Sequence, residues 1–135
     1  MYLADTAVWI HALRRDGSEH IRARFRPLLA AGHVALTEWI VLELMTGLRR
    51  DETAADLLER LEAVRRLPFA DSMWQHAWAN AAALRRRGVT ATAADCLIAT
   101  MAIDHDVTLV HCDTDFEAMK PTLRLRTLDW SVALR

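Results

Sequence analysis

Residues 2–13 read YLADTAVWIHAL, which is a short apolar run, a single acid and a second apolar run. We interpret residues 2–4 as a buried strand and residues 6–13 as a helix, so Asp5 stands at the junction between them. A parallel α/β sheet gathers such strand ends at one edge, and ligands bind in the crevice outside them. Asp5 is therefore the first candidate functional residue.

The same order of strand, acid and helix returns near the end of the chain. Residues 108–110 predict an apolar strand, Asp113 and Asp115 follow it, and residues 114–119 predict a short helix. In one parallel sheet, both strands would end at the same edge. Acids from opposite ends of the sequence would then share one cleft.

Strands and helices alternate along the whole chain. Further strands are predicted at residues 33–36, 67–69 and 123–126. Further helices are predicted at residues 18–32, 38–48, 53–64, 72–88 and 92–105. Strands that are separated by helices need crossover connections and form parallel sheets. We therefore expect a single three-layer α/β/α domain over residues 1–135, with a central parallel sheet of four or five strands.

The formal net charge hides an excess of basic residues outside the five candidate acids. Over half of the 135 residues are hydrophobic, which excludes a disordered chain, and the formal net charge is −1. Without five candidate acids, 17 basic residues face 13 acidic ones. All the basic residues but one are arginine, which binds phosphate bidentately. The candidates to position phosphates are Arg14, Arg15, Arg49, Arg50 and residues 85–87.

Cysteine usage and hydropathy predict a cytoplasmic protein. Cys96 and Cys112 are too few for a disulfide framework, and we expect both to be reduced. His111 stands beside Cys112, but no paired Cys-x₂-Cys or His-x₃-His spacing supports a zinc site. No signal peptide precedes Asp5, and no uncharged run approaches the ~18 residues that a membrane span needs.

Most of the candidate acids have a structural alternative, which is helix capping. Asp5 and Asp113 stand at N-cap positions. Asp95 is the third residue of a helix that begins after Thr92, which is a capping-box arrangement. Taken one at a time, these three acids are explained at least as well by capping as by function.

Glu43 has no such alternative. It is the only charged residue in residues 39–48, a stretch that predicts a helix buried on several sides. A buried carboxylate costs several kcal/mol unless it is paired or bound to a metal. A metal centre explains Glu43 and the helix-start acids together. Mg²⁺ and Mn²⁺ prefer oxygen ligands, and two such ions clamp the oxygens of an in-line phosphoryl displacement.

Four short motifs, in order and with suitable spacing, resemble those of PIN-domain proteins over nearly the whole chain. They are Asp5-Thr6-Ala7-Val8-Trp9-Ile10, Glu43-Leu44, Ala94-Asp95-Cys96-Leu97-Ile98-Ala99 and Asp113-Thr114-Asp115-Phe116. The size of the chain is similar to that of VapC-type toxins of bacterial toxin–antitoxin pairs.

The resemblance implies an endoribonuclease that depends on Mg²⁺ or Mn²⁺ and hydrolyses RNA. The main ligands would be Asp5 and Asp95. Glu43 and Asp113 would hold a second ion or orient the attacking water, with Asp115 adjacent or shared. The implied partners are a VapB-type antitoxin and a second copy of the chain. The five tryptophans, Trp39, Trp74 and Trp78 among them, are expected in the core or in that dimer interface.

Two positions depart from the usual pattern of the family. Ala7 replaces the serine that often follows Asp-Thr, and His111 replaces the Thr or Ser that commonly stands two residues before the fourth acid. Two rival functions also stay open. An acid-cluster phosphatase or phospho-accepting signalling domain would need an acid pair after the first strand, where only Asp5 stands. The other rival is a non-catalytic α/β domain that binds a partner.

Overall fold

Five short strands form one sheet in the computed structural model, which describes residues 1–134. The strands are β1 (Tyr2–Ala4), β2 (Val34–Leu36), β3 (Arg65–Arg66), β4 (Thr108–His111) and β5 (Thr127–Asp129). All neighbours pair in parallel, in the order β3-β2-β1-β4-β5. The predicted parallel sheet of four or five strands is confirmed, with five.

Seven α-helices flank the sheet within residues 1–134. They are α1 (Thr6–Leu13), α2 (Glu19–Ala30), α3 (Glu38–Thr46), α4 (Ala54–Leu61), α5 (Ser72–Arg86), α6 (Ala93–Asp104) and α7 (Thr114–Met119). The central strands are almost completely buried, as expected for a parallel sheet covered on both faces. Over the described residues, no helix has the length and apolarity that crossing a membrane requires.

The order of the strands reverses between β1 and β4, and this reversal decides where a site can form. The chain leaves β1 for β2 on one side and reaches β4 on the other side. The backbone N–H of Asp5 donates to the Val110 carbonyl at 2.9 Å, so the β1–β4 ladder continues to the acid itself. The crevice outside such a reversal is the usual ligand site of an open α/β sheet.

Two edge strands are formed by residues other than those predicted. Residues 123–126 were predicted as the last strand, but β5 begins at Thr127; Leu123 and Leu125 are buried without joining the ladder. Residues 67–69 were predicted as a strand, but β3 is Arg65–Arg66. The ladder ends there because the Leu67 N–H still reaches the Leu36 carbonyl, whereas Pro68 has no N–H to donate.

Several large apolar side chains on α3 and α5 lie outside the core. Helix α5 buries Met73, Ala77 and Leu84, whereas Trp74 and Trp78 on the neighbouring face are 49% and 65% exposed. In α3, Trp39 and Leu42 are also exposed, so this helix is not buried on all sides. Asp71 occupies the N-cap position of α5. Of these exposed side chains, Trp39, Leu42 and Trp74 line a groove that is described below.

The turn between α1 and α2 generates a prediction about Gly17. A Cβ atom there would clash with the His11 carbonyl oxygen and would lie 2.7 Å from the His11 Cα. Gly17→Ala should therefore lower the free energy of unfolding by about 1–3 kcal/mol, the usual cost of overpacking.

Gly47→Ala is the matched control for that substitution, measured by urea unfolding. Its Cβ would meet only the Glu43 and Leu44 carbonyl oxygens at 3.6 and 3.8 Å, so it should be neutral or stabilise by about 0.4–1 kcal/mol. Equal effects of the two substitutions would contradict the close approach at Gly17.

Candidate metal centre

Asp5 is placed by the backbone and leaves its carboxylate uncommitted to capping. It occupies the N-cap position of α1, but its side chain makes no capping hydrogen bond. Its carbonyl oxygen accepts from the Val8 and Trp9 N–H groups, and its own N–H extends the β1–β4 ladder. Helix capping therefore does not explain the Asp5 side chain, whose carboxylate is half-buried.

The electrostatics of Asp5 show which acids surround it. The pKa of Asp5 is raised from 3.8 to about 7, mainly by burial, and a hydrogen bond from the Thr6 backbone N–H acts against the rise. The negative charges of Glu43, Asp95 and Asp113 contribute to the rise. Four acids that lie far apart in the sequence therefore meet in one electrostatic environment.

Asp95, Asp113 and Asp115 form the tightest part of the cluster. One carboxylate oxygen from each lies within 4.8 Å of the other two, which is close enough for a shared metal ion. Asp95 and Asp113 are half-buried and Asp115 is exposed. Burial raises the pKa of Asp95 against a hydrogen bond from the Thr92 side chain, and Asp113, Asp115 and Glu43 add to the rise.

Asp95 and Asp113 take part in helix caps and also belong to the acid cluster. The Thr92 hydroxyl accepts from the Asp95 N–H at 3.1 Å, which is half of the predicted capping box. The Asp113 Oδ1 accepts from the Asp115 N–H at 2.9 Å and so caps α7. The bond to Thr92 uses only the backbone N–H of Asp95, and the bond from Asp115 uses only one carboxylate oxygen of Asp113. Helix capping is therefore compatible with metal binding by both carboxylates.

Glu43 reaches the cluster from α3 and is held by Thr6. The Thr6 hydroxyl donates to the Glu43 Oε1 at 2.8 Å. Among residues 1–134, no arginine or lysine lies within ion-pair distance of Glu43, so no cation compensates the carboxylate. Thr6 had no role in the sequence interpretation. The available signal was a hydroxyl residue directly after the first acid.

The donor atoms at this edge suit a hard cation and not zinc. All five acids offer oxygen, which Mg²⁺ and Mn²⁺ prefer. Burial, together with Asp5 and Asp129, raises the pKa of the Cys112 thiol to about 11, so it stays protonated near neutral pH. Both ring nitrogens of His111 lie within hydrogen-bond distance of protein groups. In the metal-free fold, the Cys112 thiol is therefore protonated and both His111 nitrogens are engaged.

Two of the arginines predicted to position phosphates stabilise the fold. Arg14 donates to the Gly47 carbonyl and forms an ion pair with Glu52. Arg49 forms an ion pair with Asp16 at 2.9 Å. These bonds join the end of α1 to the segment after α3, so both guanidinium groups are engaged within the protein.

Comparison with known proteins places most of the chain in one family. The family model described as "PIN domain" matches residues 2–120. Ribonuclease VapC11 of Mycobacterium tuberculosis is 34% identical over 123 residues, which cover 88% of this chain and 91% of that protein. VapC ribonuclease Mb1587 of Mycobacterium bovis matches with the same identity and coverage.

Solved structures agree with the family match. The crystal structure of FitAcB from Neisseria gonorrhoeae superposes with a TM-score of 0.78 at 28% identity, covering 96% of this chain and 97% of that chain. VapBC2 from Rickettsia felis, bound to a DNA fragment from its promoter, shares the fold with a TM-score of 0.77 at 19% identity, covering 96% and 98%. The fold, the order of the acids and the sequence relatives agree: the chain belongs to the PIN-domain family.

Proposed function

We propose that this PIN-domain protein is a metal-dependent endoribonuclease and the toxin of a toxin–antitoxin pair. The observation that carries the proposal is the convergence of Asp95, Asp113 and Asp115 within 4.8 Å, beside an Asp5 whose pKa is about 7. The relatives are named VapC ribonucleases, which favours RNA over a phosphoprotein as the substrate. Residues 1–135 are proposed to form the single nuclease domain.

The proposed ligands are Asp5, Glu43, Asp95, Asp113 and Asp115, and the proposed ion is Mg²⁺ or Mn²⁺. A divalent cation held by these acids would polarise the scissile phosphate and lower the pKa of an attacking water. Asp5 and Asp95, on a strand end and a helix start, supply rigidly placed oxygens. Rigid placement of ligands is what pre-organises a catalytic metal site.

Glu43, Asp113 and Asp115 would have separate roles at the site. Thr6 holds one oxygen of Glu43, so the other oxygen is left to contact an ion or to orient the attacking water. Asp113 is fixed by its cap on α7. Asp115 is the exposed member of the cluster, so it is the acid that solvent and an incoming RNA backbone reach first.

The proposed protein partner is a VapB-type antitoxin. The solved relatives include VapBC complexes from Rickettsia felis and Salmonella typhimurium, both bound to DNA. By analogy, the antitoxin would neutralise this chain, and the pair would bind promoter DNA.

We propose that the homodimer forms across a groove between α3, α5 and α6. The groove has a volume of about 490 Å³ and is walled by Trp39, Leu42, Trp74, Leu97 and Met101. Its lining is mainly apolar, and its charged members, Glu38 and Arg66, pair with each other at 2.9 Å. A second copy offers the same apolar surface with the same internally paired charges, so the two would meet without burying an unpaired charge.

The dimer predicts a response to a charge in this groove. Trp74→Asp should convert the dimer to a monomer in sedimentation velocity experiments, because the new carboxylate would be buried without a partner. Leu58→Asp is the control, since Leu58 on α4 is equally exposed at 48% but lies outside the groove. A Trp74→Asp protein that is as dimeric as the wild type would contradict this interface.

Asp95→Asn separates ligation from capping. The substitution removes one charge from the cluster but keeps the backbone bond to Thr92, so the metal-free protein should be as stable as the wild type or more stable. RNA cleavage should nonetheless fall by about 10²-fold or more, because the lost charge supports the transition state. Fluorescent-RNA cleavage and melting in EDTA measure the two effects.

Asp56→Asn is a closely matched control for Asp95→Asn. The Thr53 hydroxyl accepts from the Asp56 N–H at 3.2 Å, which is the same capping arrangement at the start of α4, away from the acid cluster. Its cleavage rate should equal that of the wild type. If Asp95→Asn and Asp56→Asn cut RNA equally fast, Asp95 is only a capping residue.

Metal binding should depend on pH because protons compete for Asp5. A carboxyl whose pKa is raised on folding keeps its proton in the folded state between about pH 4 and pH 7. The stability of the metal-free protein should therefore fall over this range and then level off. Excess Mn²⁺ should raise the melting temperature more at pH 8 than at pH 5.5, relative to EDTA. An equal rise at both pH values, or none, would count against the site.

A further inference from the structure

His111 is a buried residue in an unusual place, at the end of β4 and two residues before Asp113. Its side chain is completely inaccessible to solvent. The Nδ1 atom lies 3.1 Å from the Asp113 backbone nitrogen, and the Nε2 atom lies 2.9 Å from the Glu117 Oε1. The ring therefore joins the loop that carries a proposed ligand to helix α7.

The donors and acceptors around the ring select one tautomer. A backbone N–H can only donate, so the Nδ1 of His111 must accept from Asp113. The proton of the neutral ring is then on Nε2, where it is donated to the Glu117 carboxylate. The Asp129 Oδ1 also faces Nδ1, but at 4.0 Å it lies beyond hydrogen-bond distance, so only this arrangement satisfies both contacts at once.

On its Nε2 side, the His111 ring is held by residues of α7 and β5. The Glu117 Oε1 also accepts from the Thr127 hydroxyl on β5, and the Glu117 Oε2 pairs with Lys120 at 3.2 Å. The Phe116 ring packs against the imidazole with centroids 5.3 Å apart. Because α7 and β5 hold Glu117, the His111 ring has a fixed orientation from which to hold Asp113.

The hydrogen bonds that begin at His111 continue into the acid cluster. His111 holds the Asp113 N–H, and the Asp113 Oδ1 accepts from the Asp115 N–H at 2.9 Å. The carboxylates of Asp113 and Asp115 lie within 4.8 Å of an Asp95 oxygen. A change in the backbone at Asp113 would therefore move two of the three clustered carboxylates.

We propose that His111 is a positioning residue for the metal site, which acts by holding the Asp113 backbone through Nδ1. The inference rests on the proposed function, since it concerns the same ligands. The partners that orient a ligand typically change metal affinity by about 10–100-fold when they are altered.

Two amide substitutions test the contributions of the two His111 ring nitrogens separately. His111→Asn places a short amide near the Nδ1 position, where its oxygen accepts from the Asp113 N–H but its nitrogen falls short of Glu117. His111→Gln places the amide near the Nε2 position, where it reaches Glu117 and leaves the Asp113 N–H without an acceptor. Each variant thus retains one of the two bonds.

The Mn²⁺ dissociation constant is measured by calorimetry for the full-length wild type and both variants, with melting in EDTA alongside. His111→Gln should weaken Mn²⁺ binding by about 10-fold or more, whereas His111→Asn should remain within about threefold of the wild type. The melting temperatures in EDTA should not follow this order, which separates positioning from a general loss of stability.

The outcomes are distinguishable. If the wild type binds Mn²⁺ and both variants bind it equally well, or lose affinity in proportion to stability, the role of His111 is overturned and the metal site stands. If the wild type binds no Mn²⁺, the proposed function fails and this inference fails with it. If a variant does not fold, the long-range ¹H–¹⁵N spectrum of the wild-type imidazole decides. It should show His111 protonated at Nε2 only, and a proton on Nδ1 would overturn the inference.

Discussion

The mutual repulsion of five carboxylates at one edge of the sheet is the constraint on which the rest of this structure depends. The parallel order β3-β2-β1-β4-β5 brings Asp5 and Asp113 side by side although 107 residues separate them. Burial then raises the pKa of Asp5 to about 7, so the metal-free fold carries an electrostatic cost. A protein that only needed helix caps would have no reason to bring these groups together.

Helix starts partly offset that cost. Asp5, Asp95 and Asp113 lie at or near the N-termini of α1, α6 and α7. A helix N-terminus carries a partial positive charge, worth typically about 0.3–1 kcal/mol to a nearby anion. For Asp95 and Asp113, helix capping and the proposed metal binding are thus two consequences of one arrangement. The same backbone groups that start the helices hold the carboxylates where a cation can meet them.

The sequence predicted the parts of this structure that depend on local pattern and on general rules of topology. The strand–acid–helix units around Asp5 and Asp113 predicted both the sheet and its functional edge, because parallel strands end together. The odd position of Glu43 in an apolar helix indicated that it faces something polar, and its partner proved to be Thr6. That pairing spans 37 residues and has no local signature.

The features that the sequence did not predict depend on tertiary packing. Trp74 and Trp78 have the spacing of a buried stripe, but α5 turns Met73 and Ala77 inward. Nothing in helical periodicity distinguishes two adjacent apolar faces. The role of His111 was equally hidden, because the Glu117 and Thr127 side chains that orient it come from α7 and β5. Only the assembled sheet shows that this imidazole faces inward.

The most direct test of the central claim is to locate manganese in crystals soaked with Mn²⁺, using anomalous diffraction recorded on both sides of the manganese absorption edge. The account predicts a manganese-specific peak coordinated by oxygens of Asp5, Asp95 and Asp113, at the carboxyl ends of β1 and β4. A peak at any other position, or an acid cluster without manganese at saturating concentration, would contradict it.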